Sequence, residues 1–203
     1  MIDEYQQRMY STIPNLTIGF HGCDETVFEK IVHKGEILHK STHDYDWLGN
    51  GMYFWEQNLG RAWLWAKEHN ENPAVIGAVI DLGYCLNLLD NRSIQLLKRQ
   101  YSILKLKSQL TSQQLKFNKN VKNNTDLLLR YLDCAVIEDL HKEREKDNER
   151  NFDTVRGLFL EGEPIYETSG FFEKTHIQIC VRNPNCIKGF FIPRNPDTNW
   201  KIV

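Results

Sequence analysis

Two short stretches set chemically capable side chains beside glycines: Phe20-His21-Gly22-Cys23 and Gly49-Asn50-Gly51-Met52-Tyr53-Phe54. A glycine after His21 lets a ligand approach the backbone, so that its peptide N–H and C=O become recognition groups. Two glycines before an aromatic segment predict a tight turn that sets Tyr53 against something flat. Taken singly, His21 reads equally well as a satisfied core histidine, and Tyr53 as ordinary packing. The glycines do not form the dinucleotide fingerprint G-x-G-x-x-G, since the third is missing and a strand follows, not a helix. Near the other end, Thr175-His176-Ile177-Gln178-Ile179 alternates so that His176 and Gln178 share one face, with Glu173 just before. Gln178 can hydrogen-bond sugar hydroxyls but cannot act as a general base near neutrality, whereas a histidine such as His176 can. Asp153-Thr154-Val155-Arg156-Gly157 offers Arg156 to a pyrophosphate or an anionic acceptor, or else to an ion pair with Asp153.

Elements must hold these residues in place. Residues 15–21 alternate as a short strand that delivers His21 to an edge or cleft. Residues 24–34 read as a helix capped by Asp24, with Val27, Phe28, Ile31 and Val32 as its apolar stripe and Gly35 as its stop. Residues 41–51 are turn-prone, 52–55 form an aromatic strand, and 58–69 predict a helix with Leu59, Ala62, Trp63 and Ala66 on one face. The run 74–82 is the plainest strand, and further strands are expected at 176–181 and 187–192, with a turn at Asn183-Pro184-Asn185.

Between Arg92 and Lys122 the chain carries Arg92, Lys98, Arg99, Lys105, Lys107, Lys116, Lys119 and Lys122 without an Asp or Glu. Leucines and isoleucines recur there at roughly helical intervals. Glu138 to Arg150 reads as a solvated helix and loop. The order of elements is mixed α+β, with strands at both ends and helices between.

The chain has 203 residues and a formal net charge of -2, with 41% hydrophobic residues, which fits one domain with a genuine core. That charge argues against wholesale electrostatic capture by nucleic acid but leaves room for a local basic patch. Cys23, Cys85, Cys134, Cys180 and Cys186 are scattered and odd in number, which disfavours a disulfide framework or a structural zinc site and suggests a reducing interior. The start, Met1-Ile2-Asp3-Glu4, lacks a secretion pattern, and no apolar run is long enough to span a bilayer, so a cytoplasmic location is expected.

Together, Phe20-His21-Gly22-Cys23, the helix carrying Phe28 and Ile31, Gly35, Gly49-Asn50-Gly51-Met52-Tyr53-Phe54 and Ala62 resemble the NAD-binding half of the poly(ADP-ribose) polymerase and diphtheria-toxin-like ADP-ribosyltransferases. The resemblance covers residues 18–66, with a weaker one over 165–193. It implies an α+β fold with a split antiparallel β-sheet core, flanking helices and a helical insertion at about 92–150, all within one catalytic domain spanning 1–203. It implies NAD as substrate and no metal. His21 would bond the adenosine-side ribose, and the Gly22 backbone would hold the nicotinamide carboxamide with Cys23 beside it. Tyr53 would stack on the nicotinamide, with Trp65 or Trp63 as second wall where the aligned position is Leu64. Gln178 and His176 stand where the family carries a catalytic glutamate, a substitution that implies transfer of a single ADP-ribose.

The acceptor is expected to be a macromolecule, RNA or DNA ahead of protein, with Tyr101 and Phe117 available to stack bases beside the basic run. The same run could instead dock an acidic antitoxin or chaperone, or be a solvated insertion. A small transferase domain of this kind looks like a toxin of a toxin–antitoxin or phage-defence system. NAD glycohydrolysis, a non-catalytic NAD or ADP-ribose-binding module and, more remotely, RNA 2′-phosphotransfer are the competing functions.

Overall fold

Alternating apolar residues in segments of five to eight build most of one sheet, as described in a computed structural model covering residues 16–121, 126–196 and 199. Met1–Glu4, Asn15 and Lys122 lie outside the described residues. The strands are β1 (Thr17–Asp24), β2 (Met52–Glu56), β3 (Pro73–Ile80), β4 (Cys85–Asn87), β5 (Thr154–Phe159), β6 (His176–Val181) and β7 (Ile187–Phe191). They form one seven-stranded sheet in the order β4-β5-β6-β2-β1-β3-β7. All pairs are antiparallel except β4 with β5, which is parallel. The fold is α+β with a mixed sheet, and the parallel pair at one end departs from a purely antiparallel core.

The period of two gives each strand two destinations. One face of the sheet carries Cys23, Met52, Phe54, Ile76, Ala78, Ile80, Ile179 and Val181, all buried. It is covered by a short helix α1 (Glu25–Phe28) that runs on as a π-helical turn over Glu29–His33 and contributes Ile31. Asp24 caps α1 as expected, accepting from the Thr26 N–H at 3.0 Å. The other face has two helical covers. Helix α2 (Leu59–His69) lies over Phe20, Trp55 and Val75, and helix α4 (Tyr131–Lys146) brings Ile137 and Leu140 onto Leu86, Val155 and Cys180.

Three expectations need correction. The inward face of α2 is Ala62, Ala66 and the half-buried Trp65, while Leu59 and Trp63 are exposed. Small residues win that face because they let the helix come close to β1. The segment from Glu138 to Arg150 is solvated only in part: the end of α4 buries Leu140 and His141 within it, with Cys134, Val136 and Ile137 just before, while residues 145–150 are exposed and leave the helix after Lys146. Its charges occupy the outer side, or are paired, as Glu138 is with Arg182. Strand β5 did not announce itself, since Arg156 and Gly157 interrupt its apolar pattern.

The basic run begins on helix α3 (Asn91–Thr111), which packs against α4. Part of its charge is neutralised from outside the run: Lys107 pairs with Asp139 and Glu143, and Lys116 with Asp44. No helix among the described residues is long and apolar enough to cross a membrane. All five cysteines are buried and unpaired.

Candidate functional site

Strand β1 pairs with β3 along its whole length, Thr17↔Ile80 to Asp24↔Pro73, but its register with β2 comprises only Gly19↔Glu56 and Phe20↔Trp55. Beyond Phe20 the two central strands part. The His21 ring stands in the gap, its Nδ1 at 2.9 Å from the Tyr53 carbonyl. A carbonyl only accepts, so Nδ1 carries the proton and Nε2 presents a lone pair. Burial lowers the His21 pKa against the opposing pull of that carbonyl, which keeps the ring neutral.

The parting also leaves backbone without a ladder partner on β2. The Ile18 carbonyl accepts from Gln57 N–H at 2.9 Å, and Glu25 N–H donates to Asn72 at 2.8 Å. Even-numbered residues of β1 therefore point their peptide groups toward β2, and odd-numbered ones toward β3. By that alternation the N–H and C=O of Gly22 face the gap, where the β1–β2 ladder has ended. Gly22 itself is fixed by packing. A Cβ there would lie 2.4 Å from the Ala62 carbonyl oxygen and 3.2 Å from Trp65 Cε3. The glycine thus serves the close approach of α2, and Trp65, not the exposed Trp63 or Leu64, is the aromatic side chain brought over it.

Tyr53 is rigidly held. Its hydroxyl donates to the Gly49 carbonyl at 2.6 Å and accepts from Leu48 N–H at 2.9 Å. Gly49 has φ +79°, and a Cβ there would strike Glu138. Glu138 accepts from Asn50 N–H at 2.8 Å and from Arg182, which also donates to the Asn50 carbonyl at 3.0 Å. The loop behind Tyr53 is thereby tied to α4 and the end of β6. Burial pushes the Tyr53 phenol well above its usual pKa, so it stays a neutral hydroxyl.

Cross-strand pairing places Tyr53 opposite Cys180 and Trp55 opposite Gln178, on the face shared with His176. His176 is buried among Trp47, Trp55 and Phe159. Its Nδ1 lies 2.6 Å from the Lys174 carbonyl and its Nε2 lies 3.1 Å from Gln178 Nε2. The first contact requires Nδ1–H, so in the neutral ring Nε2 accepts from the Gln178 amide. Burial keeps the ring neutral by lowering its pKa, outweighing the Lys174 carbonyl and Glu161. His176 thus has no free lone pair for base work; it holds the amide nitrogen of Gln178, which leaves the carbonyl oxygen of that amide turned away from the ring.

Two further residues sit here that the sequence reading passed over. Arg61, on the first turn of α2, reaches Glu161 with an Nη2···Oε2 distance of 2.8 Å, and both are nearly buried. Both act electrostatically on His176. Arg61 Nε and Nη1, and the indole Nε1 of Trp55, are buried without a hydrogen-bond partner among the described residues. Such orphans are uncommon and call for an explanation. Neither residue belongs to a motif, and only the three-dimensional bridge between α2 and the loop after β5 reveals them.

Other expected site residues are placed elsewhere. The Cys23 thiol lies in the core on the opposite face from Tyr53, with burial pushing it up to about 11. Arg156 is on that opposite face too, donating to Glu56 at 2.6 Å and Asn87 at 3.2 Å; its ion-pair partner is Glu56, not Asp153. Glu173 is exposed in the loop before β6. Tyr101 and Phe117 are exposed on or beyond α3. No group of three or more His, Cys, Asp or Glu among the described residues is arranged to hold a metal ion.

No protein-family profile and no solved structure matches the chain. A curated relative does: the uncharacterized protein MJ0359 of Methanocaldococcus jannaschii is 30% identical over 189 residues, spanning 83% of each chain. At that identity and coverage, the chain belongs to one family with this archaeal protein.

Proposed function

We propose that the protein binds NAD as a substrate and transfers a single ADP-ribose from it to a macromolecular acceptor, nucleic acid ahead of protein, on a split-sheet ADP-ribosyltransferase fold. The observation that carries this reading is the gap between β1 and β2, with His21 bridging it and the Gly22 peptide facing into it. A carboxamide needs one acceptor and one donor, and the Gly22 C=O and N–H are such a pair. The His21 Nε2 lone pair suits a ribose hydroxyl. Tyr53 offers a fixed aromatic face to the flat cationic nicotinamide, and Trp65 a wall under α2. The Gln178 carbonyl oxygen, aimed by His176, suits a hydroxyl of the nicotinamide ribose. Release of nicotinamide relieves the ring's positive charge while the ribose carbon gains oxocarbenium character, so positioning and exclusion of water are what such a site must supply.

The test is nicotinamide release from NAD in the presence of cell lysate, with labelled NAD followed by separate digestion with RNase, DNase and protease. Transfer predicts that label stays on the fraction one of these removes. A toxin or phage-defence role predicts that expression inhibits growth and that His21→Ala or Tyr53→Ala relieves it; undiminished toxicity in both variants overturns that role. The occupied lone pair of His176 favours one second reading, an NAD-binding module without turnover, which stoichiometric binding with no nicotinamide release would reveal.

A further inference from the structure

Helix α3 buries little for its length. Leucines and isoleucines recur along its 21 residues, yet Gln100 is its only fully buried residue. Leu96 and Leu97 pack against the core, partly buried. Further along, the contact with α4 is polar: Gln100 donates to Asp139 at 2.6 Å, and Lys107 bridges Asp139 and Glu143. A helix in a folded domain is stabilised chiefly by burying an apolar stripe. Much of the apolar surface of α3 stays in water instead.

Between α3 and α4 lies a cleft of about 390 Å³. Ile94, Leu97 and Tyr101 wall it from α3 and Leu132 and Val136 from α4, with Lys98 and Asp133 also in its lining. Ile94 and Tyr101 are still 43% and 37% exposed, so the cleft is an open groove and not an enclosed chamber. A small molecule is held by a pocket that surrounds most of its surface. An open apolar groove suits a row of side chains projecting from a helix.

Charge decides which kind of helix. Ile94, Lys98, Tyr101 and Lys105 follow at i, i+4, i+7 and i+11, which sets them along one face of α3. The helix has no Asp or Glu. Unlike Lys107, Lys98 and Lys105 have no ion-pair partner among the described residues, whereas Asp133 across the groove is met by Arg130 at 3.6 Å. Nucleic acid would use the lysines but gain nothing from walls of isoleucine, leucine and valine.

We infer that the groove between α3 and α4 docks an acidic amphipathic helix of a separate protein. Its apolar side chains fill the groove, and Asp or Glu beside them pairs with Lys98 and Lys105. The apolar contacts supply most of the affinity, and the lysines select sign and orientation. NAD takes no part in this contact.

A displayed library of helical peptides about 18 residues long, roughly five turns, is selected on the full-length protein. Leucine is fixed at i, i+4, i+7 and i+11, and every other position is randomised. Selected peptides should be enriched in Asp and Glu beside the leucines. By fluorescence anisotropy they should bind at least tenfold more tightly than versions with the leucines scrambled. Ile94→Glu, at an exposed position, should leave Tm unchanged and weaken binding at least tenfold. Lys98→Glu combined with Lys105→Glu should turn the selection toward Lys and Arg. Enrichment of basic peptides, or no enrichment, overturns the assignment, as does undiminished binding by Ile94→Glu. So does tighter binding of single-stranded RNA or duplex DNA that survives Ile94→Glu, which makes this a nucleic-acid surface. Dimerisation of the protein that Ile94→Glu abolishes also overturns it, since the occupant is then a second copy of the chain.

Discussion

A histidine between two partners can hold only one proton arrangement that satisfies both, and His176 shows how much this decides. With Nδ1–H committed to Lys174, the ring can act on the proposed reaction only through Gln178, as a positioning residue. Protonation of Nε2 would force the Gln178 amide to turn over and withdraw its NH2 from the ring. Because burial lowers the His176 pKa below 6.5, turnover should hold steady at neutrality and fall only on acidification below that value. His176→Asn should lower kcat more than it raises the KM for NAD and should remove this acid limb from the pH profile. Gln178→Glu introduces a carboxylate that can serve as a base, and we expect it to raise release of free ADP-ribose into water several-fold, read by nicotinamide formation without an added acceptor. The strand positions of His21, Gly22, Tyr53 and Gln178, and the face that Gln178 shares with His176, were legible in the sequence because glycines and strand alternation mark them. The orientation of Gln178 was not, since a ring tautomer depends on a carbonyl whose direction only the folded backbone fixes. Arg61 and Glu161, a hundred residues apart, carry no local sign of meeting.

At the level of elements, the position of α2 depends on one missing methyl group. A Cβ on Gly22 would collide with backbone at Ala62, which cannot rotate away as a flexible side chain could. Gly22→Ala should therefore cost about 1–3 kcal/mol by pushing the helix off β1, read as a lowered Tm together with loss of NAD binding. Helix α4 is anchored through Glu138, where the bonds from Arg182 and Asn50 hold the carboxyl below its usual pKa although burial alone would raise it. Glu138→Ala leaves a guanidinium and a peptide N–H without their acceptor, and a loss of about 2 kcal/mol is expected in chemical denaturation. The strand-forming alternation of β1, β2, β3 and β6 could be read directly, as could the cap at Asp24. The cover of the sheet was harder. The charges of α4 look like those of a solvated helix because their partners, Arg182 and Lys107, come from distant segments. In β5, Arg156 breaks the apolar pattern for the sake of Glu56 on β2, and such a pairing across strands leaves no trace in local periodicity.

For the molecule as a whole, acid is the weak side. His141 is buried in α4 with its Nδ1 on the Ile137 carbonyl, and burial, with Arg182 nearby, brings its pKa from 6.5 down to about 4. Below 6.5 the unfolded chain binds this proton before the folded one does, so the stabilising contribution is complete above 6.5 and shrinks as pH falls toward 4. The sum at stake is on the order of 3 kcal/mol, and His21 and His176 act in the same direction. His141→Leu should flatten the fall in Tm between pH 7 and pH 5. The parting of β1 from β2 has a different kind of consequence. An ordinary open sheet has two borders where backbone goes unpaired, and these are where foreign strands add and aggregates start. This sheet has a third border in its interior, beside which α2 packs closely on one face. Hydrogen–deuterium exchange should expose it: the Gly22 amide, central in a seven-stranded sheet, should exchange like one at a margin and become protected when NAD fills the gap.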